Sequence, residues 1–89
     1  MSLNYDTLNC FVKKITRNTK AHTISSNDLS VAIAAEYGIG KKRINNIRSW
    51  LIQFDLVKQD DKDAMLYKLL PKKILYKEGK IYDTVLDCE

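Results

Sequence analysis

The pattern that most constrains the fold is a pair of helical segments, residues 29–37 and 41–54, separated by a short link with a glycine at each end. The second segment carries an apolar stripe at the spacing of a single helix face: Ile44, Ile47, Leu51 and Phe54. The first is rich in alanine, and small side chains allow another helix to approach closely. Gly38 suits the end of the first helix because glycine enters the left-handed conformation without a steric penalty. The sequence therefore predicts two short helices joined by a tight turn.

A further amphipathic helix is predicted ahead of this pair, over residues 5–16. Its apolar stripe is formed by Leu8, Phe11, Val12 and Ile15. Asn4 is a suitable N-cap, since its side-chain oxygen can accept a hydrogen bond from an unpaired N–H of the first turn. Residues 22–24, between this helix and the pair, predict a short strand.

Two strands joined by an acidic turn are predicted after the helix pair. The strands are expected at residues 56–59 and 64–69, the turn at residues 60–63, and Pro71 ends the second strand or lies at its edge. The expected fold class is therefore α+β, with residues 1–70 as the folded domain.

The C-terminal extension, residues 71–89, predicts a second hairpin. Its strands are expected at residues 74–76 and 81–85, on either side of a turn that contains Gly79. A helix is the competing interpretation, which this glycine disfavours by about 1 kcal/mol relative to alanine.

Charge is distributed unevenly along the 89 residues. The net charge is +4, and residues 1–56 carry all of this excess, whereas residues 57–89 are neutral overall. The basic part is where a polyanion is expected to bind. No apolar run approaches the roughly 18 residues of a membrane span, and the N-terminus lacks the order of a signal peptide. A cytoplasmic protein that does not enter the membrane is expected.

Cysteine and histidine usage argues against a metal site and against catalysis. Cys10 and Cys88 are far apart and lack metal-ligand spacing, and His22 is the only histidine. Two free thiols are expected, with Cys10 on the accessible side of its helix; a disulfide within the chain or between subunits is the alternative.

Residues 60–63 lack the spacing and glycine of a calcium loop. Residues 38–42 are too short for a phosphate-binding loop, so no catalytic residue, cofactor or metal ion is predicted.

The order of elements resembles that of the winged helix-turn-helix family. The resemblance is carried by residues 24–69, with the helix at 5–16 before them: an alanine-rich second helix, the turn at Gly38, an Ile/Leu-spaced third helix and a hairpin. The chain looks like the small winged-helix proteins of archaea and of their viruses and plasmids. The resemblance implies a three-helix core with a helix-turn-helix, a short strand and a β-hairpin wing. It also implies that the third helix enters the major groove of DNA, which is about 12 Å wide.

The face of the third helix opposite its apolar stripe has a composition suited to DNA. This outer face consists of Lys42, Asn45, Asn46, Ser49 and Gln53, and it is flanked by Lys41, Arg43 and Arg48. Amides pair with adenine, arginine and lysine pair with guanine or phosphate, and serine pairs with either. The face contains no carboxylate, whereas a solvated helix face usually mixes charges of both signs. These eight residues are the predicted DNA contacts on this helix.

Two other groups have both a DNA-binding and a structural interpretation. Ser26 and Asn27, at the start of the second helix, can offer donors to a phosphate. They can equally cap that helix, as can Ser25, which has capping-box spacing to Asp28. The basic cluster at the end of the first helix either contacts phosphates or interacts with the negative helix C-terminus; it consists of Lys13, Lys14, Arg17 and Lys20.

The acidic hairpin tip departs from the family pattern, in which the wing grips DNA with basic side chains. Residues 60–63 carry a net charge of −2. The tip is therefore expected to be held off the duplex, with contact only through Lys58 or Lys68. Since a single module buries only about 600–1,000 Å², useful affinity predicts a two-fold dimer. The dimer is expected to form through the C-terminal extension or the first helix; packing of the extension against its own domain is the alternative.

The expected function is sequence-specific binding of double-stranded DNA, in transcriptional regulation; control of replication or copy number by the same contact is left open. The alternative is a winged-helix module that binds other proteins and no nucleic acid, a role that the acidic tip also fits.

Overall fold

The computed structural model describes residues 4–71, 74–77 and 80–83. It is an α+β structure in which three helices pack against an antiparallel sheet. The helices are α1 (Tyr5–Thr16), α2 (Ser26–Tyr37) and α3 (Lys41–Gln53); the strands are β1 (Thr23–Ser25), β2 (Val57–Gln59), β3 (Leu66–Leu69), β4 (Ile74–Lys77) and β5 (Lys80–Asp83). This layout is compatible with the winged-helix arrangement that the resemblance implies. Within the described residues, none of the helices has the length and hydrophobicity needed to cross a membrane.

The main sheet has three strands in the order β1–β3–β2, so the central strand is the last of them in the chain. Ile24 lies opposite Tyr67 on one side of β3, and Gln59 lies opposite the same residue on the other side. β4 and β5 form a separate antiparallel pair, which is the hairpin predicted for the C-terminal extension. The predicted turn residue Gly79 lies outside the described residues.

The core is built from the predicted helical stripes and from the inner face of the hairpin. Leu8 of α1, Ile33 of α2 and Leu51 of α3 are fully buried, together with Leu69 of β3. Tyr37 packs against Phe11 at 5.6 Å between ring centroids. Burial, and to a smaller degree the charge of Glu36, raises the pKa of Tyr37 to about 12.

The start of α1 confirms the local prediction. Asn4 is the N-cap: its Oδ1 accepts from the Thr7 backbone N–H at 2.9 Å, and the Thr7 hydroxyl oxygen accepts from the Asn4 N–H at 3.2 Å. This reciprocal pair satisfies two of the donors that a helix start leaves unpaired. The stripe also forms as predicted, because Leu8 and Val12 are buried.

The link between α2 and α3 depends on Gly38. Its backbone is left-handed, with φ 60° and ψ 43°, and its N–H donates to the Ala34 carbonyl at 2.8 Å. Gly40, by contrast, has φ −83° and is the N-cap of α3 without a side chain to accept from the first turn. The turn directs α3 back across α2, and Ile39 between the two glycines packs against the core.

Gly38→Ala should lower the free energy of unfolding by about 1–2 kcal/mol, because a Cβ is disfavoured in the left-handed conformation. No atom lies within 4 Å of the added Cβ, so the effect comes from the backbone alone. Gly40→Ser is the matched control, since its backbone suits serine and the hydroxyl adds a cap; we expect an unchanged or slightly higher stability. Urea denaturation measures both, and equal stability of G38A and wild type would contradict this role of Gly38.

Two local predictions are corrected by the structure. Strand β1 begins at Thr23 rather than at His22, because His22 has φ 52° and lies in the turn before the strand. Phe54 was predicted to lie in the buried stripe of α3, but the helix ends at Gln53 and Phe54 is exposed. The 3.6-residue period does not extend past the helix end, and the Phe54 ring instead meets Tyr5 edge-on at 5.5 Å.

The thiol prediction is also wrong. Cys10 is half-buried and disulfide-bonded rather than free and accessible. The only other cysteine of the sequence, Cys88, lies outside the described residues. Two cysteines so far apart in sequence give no local signal of pairing, and compartment-based expectations favoured free thiols.

Candidate nucleic-acid interface

The outer face of α3 is open to solvent along its whole length. All five of its residues (Lys42, Asn45, Asn46, Ser49 and Gln53) are exposed, as are the flanking Lys41 and Arg43. The opposite side of the helix is anchored by Ile47 and Leu51, which are fully buried. The structure thus brings seven of the eight predicted contacts of α3 to one accessible surface.

The charge on this surface is uncompensated. α3 contains no acidic residue, and its first turn holds Lys41, Lys42 and Arg43. Within the part of the chain that the structure describes, none of the basic side chains of α3 pairs with a carboxylate. Positive charge at a helix N-terminus is unfavourable for the helix dipole. Three basic residues at that end therefore do not stabilise α3 in isolation, and an approaching anion would relieve the conflict.

Arg48 has a different environment from the other predicted contacts. Its side chain is half-buried and turned toward α2, where Nη2 donates to the Ser26 carbonyl at 3.3 Å and to the Ser30 hydroxyl. The guanidinium also lies 5.9 Å from the centre of the Tyr67 ring on β3. Arg48 therefore ties α3 to α2 and to the sheet, and such a cation–π and hydrogen-bonded arrangement fixes the orientation of a helix.

A groove runs between α2, the first two turns of α3 and the residue before β3. This α2–α3 groove has a volume of about 480 Å³ and is lined by ten residues. Five of them are predicted DNA contacts: Ser26, Asn27, Lys41, Asn45 and Arg48. The groove therefore joins the start of α2 to the outer face of α3, although these regions are far apart in the sequence.

The start of α2 offers fewer free donors than the sequence suggested. Ser25 is the N-cap, and its side-chain oxygen accepts from the Asp28 N–H at 3.1 Å. The Ser26 N–H is used within the protein, since it donates to the Met65 carbonyl at 2.7 Å. Asn27 is exposed. Of the two predicted phosphate contacts at this helix end, Asn27 is the more accessible.

The tip of the β2–β3 hairpin owes its acidic residues to turn formation. Oδ2 of Asp60 accepts from the backbone N–H groups of Lys62 and Asp63, at 3.1 and 3.0 Å, and Oδ1 of Asp63 accepts from Met65 N–H at 2.9 Å. Side-chain acceptors of this kind stabilise tight turns. Asp60 also lies 3.7 Å from Nζ of Lys68. Turn formation therefore accounts for Asp60 and Asp63, two of the three aspartates of the tip.

The basic cluster at the end of α1 is partly engaged. Nζ of Lys14 lies 2.9 Å from Oε1 of Glu36 on α2, so this charge is paired. Arg17 and Lys20 are exposed. The Thr16 hydroxyl, in the last turn of the helix, donates to the Val12 carbonyl. The cluster therefore has a structural use at Lys14.

Sequence reasoning missed two apolar side chains in the α2–α3 groove. Val31 and Met65 both line it. Val31 falls outside the buried stripe of α2, and Met65 precedes a strand, so neither belongs to a periodic pattern. A large apolar residue on the predicted solvent side of a helix indicates a contact surface, although it does not identify the partner.

No protein-family model matches this chain, and no significant similarity to a curated protein or to a solved structure was found.

Proposed function

We propose that this protein is a winged-helix protein that binds double-stranded DNA sequence-specifically, inserts α3 in the major groove and regulates transcription. The observation that carries the proposal is the exposed, carboxylate-free outer face of α3 above a helix anchored by Ile47 and Leu51. A helix fits the major groove in width, and its polar face is the part that meets base edges. A helix that reads the base sequence, here called the reading helix, requires both an exposed polar face and a buried side that anchors it to the protein.

Each kind of side chain on this surface has a distinct use on DNA. Asn45, Asn46 and Gln53 carry amides, which can bond to N6 and N7 of adenine at once. Lys41 and Lys42 carry charges that suit phosphates, and such contacts fix position without reading sequence. The proposal therefore assigns specificity to the amides and most of the affinity to the lysines.

The hairpin supports α3 and contributes little to DNA binding in this proposal. Tyr67 of β3 underlies Arg48, and the acidic tip faces repulsion from a phosphate backbone. Lys58 is exposed on the flank of the hairpin, as is Lys68, which lies near Asp60. An interface that depends mainly on one helix is small, which is why the proposal includes a two-fold dimer.

Asn46→Ala should relax the base preference at one or two positions of the site while leaving most of the affinity in place. A bidentate amide–adenine pair accounts for about 1–3 kcal/mol of discrimination against a wrong base. Selection of bound fragments from a random pool of double-stranded DNA, performed with wild type and variant in parallel, measures the change. A palindromic consensus with half-sites about 10 base pairs apart would support the dimer.

Asn18→Ala is the control for this selection. Asn18 is also an exposed asparagine, but it lies in the turn after α1. Its removal should leave the selected consensus unchanged. If the wild-type protein enriches no sequence, or if N46A and N18A return the same consensus as wild type, the assignment of α3 as the reading helix is wrong.

A protein-binding role is the second candidate, and one observation favours it. Beyond the outer face, the end of α3 exposes Trp50, Ile52 and Phe54, each about 40% accessible. Exposed aromatic side chains are enriched at protein interfaces. Chromatography on heparin distinguishes the candidates: retention to moderate salt supports DNA binding, whereas elution at very low salt supports the protein-binding module.

A further inference from the structure

The α2–α3 groove is lined in part by exposed apolar side chains, which polar DNA contacts do not explain. Val31 is 61% exposed and Met65 is 64% exposed, and both line the groove together with Ala34 and Ile44. Leaving large apolar side chains in water forgoes roughly 25 cal/mol for each Å² that burial would remove from solvent. A functional contact is a sufficient reason for this exposure.

The polar residues that line the groove indicate what kind of molecule enters it. Lys41 supplies an exposed positive charge, the guanidinium of half-buried Arg48 adds a second, and Asn27 and Asn45 supply amides. None of the ten residues that line the groove has a carboxylate. A lining that combines basic and apolar side chains favours an occupant that carries both negative charge and an apolar group. An acidic rim, which would favour a basic partner, is absent from this set of residues.

Thymine in the major groove of DNA meets both requirements. Its 5-methyl group is the apolar feature that the four bases present there, and every A·T pair presents it together with N6 and N7 of adenine. Asn45 belongs both to the outer face of α3 and to the lining of the groove. An A·T pair bonded to Asn45 would therefore present its methyl group to the surface that also carries Val31 and Met65.

We infer that the α2–α3 groove receives thymine 5-methyl groups, and that Val31 and Met65 make the protein selective for A·T pairs next to the bases that α3 reads. This inference rests on the proposed function and adds a second source of specificity, from α2 and from the hairpin. Contact with methyl groups explains why apolar residues adjoin amides on the same surface.

Deoxyuridine provides a direct probe, since it differs from thymidine only in lacking the 5-methyl group. The fragments selected by the wild-type protein are amplified once with thymidine triphosphate and once with deoxyuridine triphosphate, which gives two pools of identical sequence. Removing one buried methyl group weakens binding about 4-fold. We expect the uracil pool to bind about 4- to 15-fold more weakly than the thymine pool, for one or two methyl groups in contact.

The double variant V31T/M65Q tests whether these two side chains sense the methyl group. Threonine has the shape of valine and glutamine the length of methionine, and both positions are exposed, so the fold should be retained. The variant should bind the two pools with nearly equal affinity, within about 2-fold. Ile52→Thr is the matched control, because Ile52 is an exposed β-branched residue of α3 that does not line the groove. I52T should discriminate between the pools as wild type does.

The outcomes separate this inference from the proposed function. Equal binding of the thymine and uracil pools by wild type would overturn the inference and leave DNA binding intact. Discrimination that persists in V31T/M65Q would also overturn it, since other residues or the altered DNA would then be responsible. Failure of wild type to bind either pool would overturn both proposals.

Discussion

Replacing Lys41 and Lys42 together with alanine should weaken binding of double-stranded DNA about 50-fold at about 0.1 M salt. Both side chains are exposed in the first turn of α3 and neither pairs with a carboxylate of the described residues. Each lysine that contacts a phosphate releases nearly one counterion, so two lost contacts reduce the slope of log affinity against log salt concentration by about 2. Retardation of a fluorescent duplex, measured at salt concentrations between about 0.05 and 0.4 M, gives both the affinity and the salt slope.

Lys62→Ala is the control for this double variant. Lys62 is exposed as well, but it lies among the aspartates of the hairpin tip, which we expect to be held off the duplex. Its removal should change affinity less than about 2-fold and should leave the salt slope unaltered. A K41A/K42A protein with wild-type affinity and slope would show that the start of α3 does not contact phosphates.

Cys10→Ser should lower the free energy of unfolding by about 3 kcal/mol. Cys10 is disulfide-bonded, and Cys88 is the only other cysteine of the sequence, so a bond within the chain links segments close to its two ends. Closing so long a loop restricts the unfolded chain strongly, and small domains depend heavily on such a constraint because their cores are limited. Urea denaturation with and without a reducing agent measures the effect.

The reducing agent itself supplies the control for this prediction. It should destabilise the wild-type protein by about the same 3 kcal/mol and should have no effect on C10S. Cys88→Ser should behave as C10S does. Alkylation of two thiols in the unreduced, unfolded wild-type protein would contradict the disulfide.

Local signals in the sequence were sufficient for the helices and for the turn between α2 and α3. The side chain of Asn4 caps α1, and the left-handed conformation of Gly38 ends α2, because both features involve residues only a few positions apart. Phe54 shows the limit of such reasoning. Its spacing fits the stripe of α3, but the helix ends one residue earlier, and helix ends are the least certain part of any periodic pattern.

Contacts between distant segments were outside the reach of the sequence. The position of Arg48 on α3 predicts an exposed basic residue beside the outer face. Its actual partners on α2 and β3 depend on how the two helices cross, which no local pattern specifies. The α2–α3 groove has the same origin, since Val31 and Met65 come together only when the hairpin packs beside the start of α2.

The exposed residues of the outer face were nevertheless identified correctly as exposed. Lys42, Asn46 and Ser49 are all open to solvent, as the amphipathic pattern of α3 requires. The apolar stripe of a helix identifies its buried side, and the residues on the opposite side are then expected to be exposed. What the exposed side binds depends on a partner, and the composition of the face is the only guide to it in the sequence.

The most direct test of α3 as the reading helix is nuclear magnetic resonance of isotope-labelled protein titrated with the duplex obtained by selection. The backbone and side-chain amide signals of Asn45, Asn46 and Gln53 should shift most, together with that of Ser49. Shifts confined to Trp50, Ile52 and Phe54, or no shift at saturating duplex, would contradict the account.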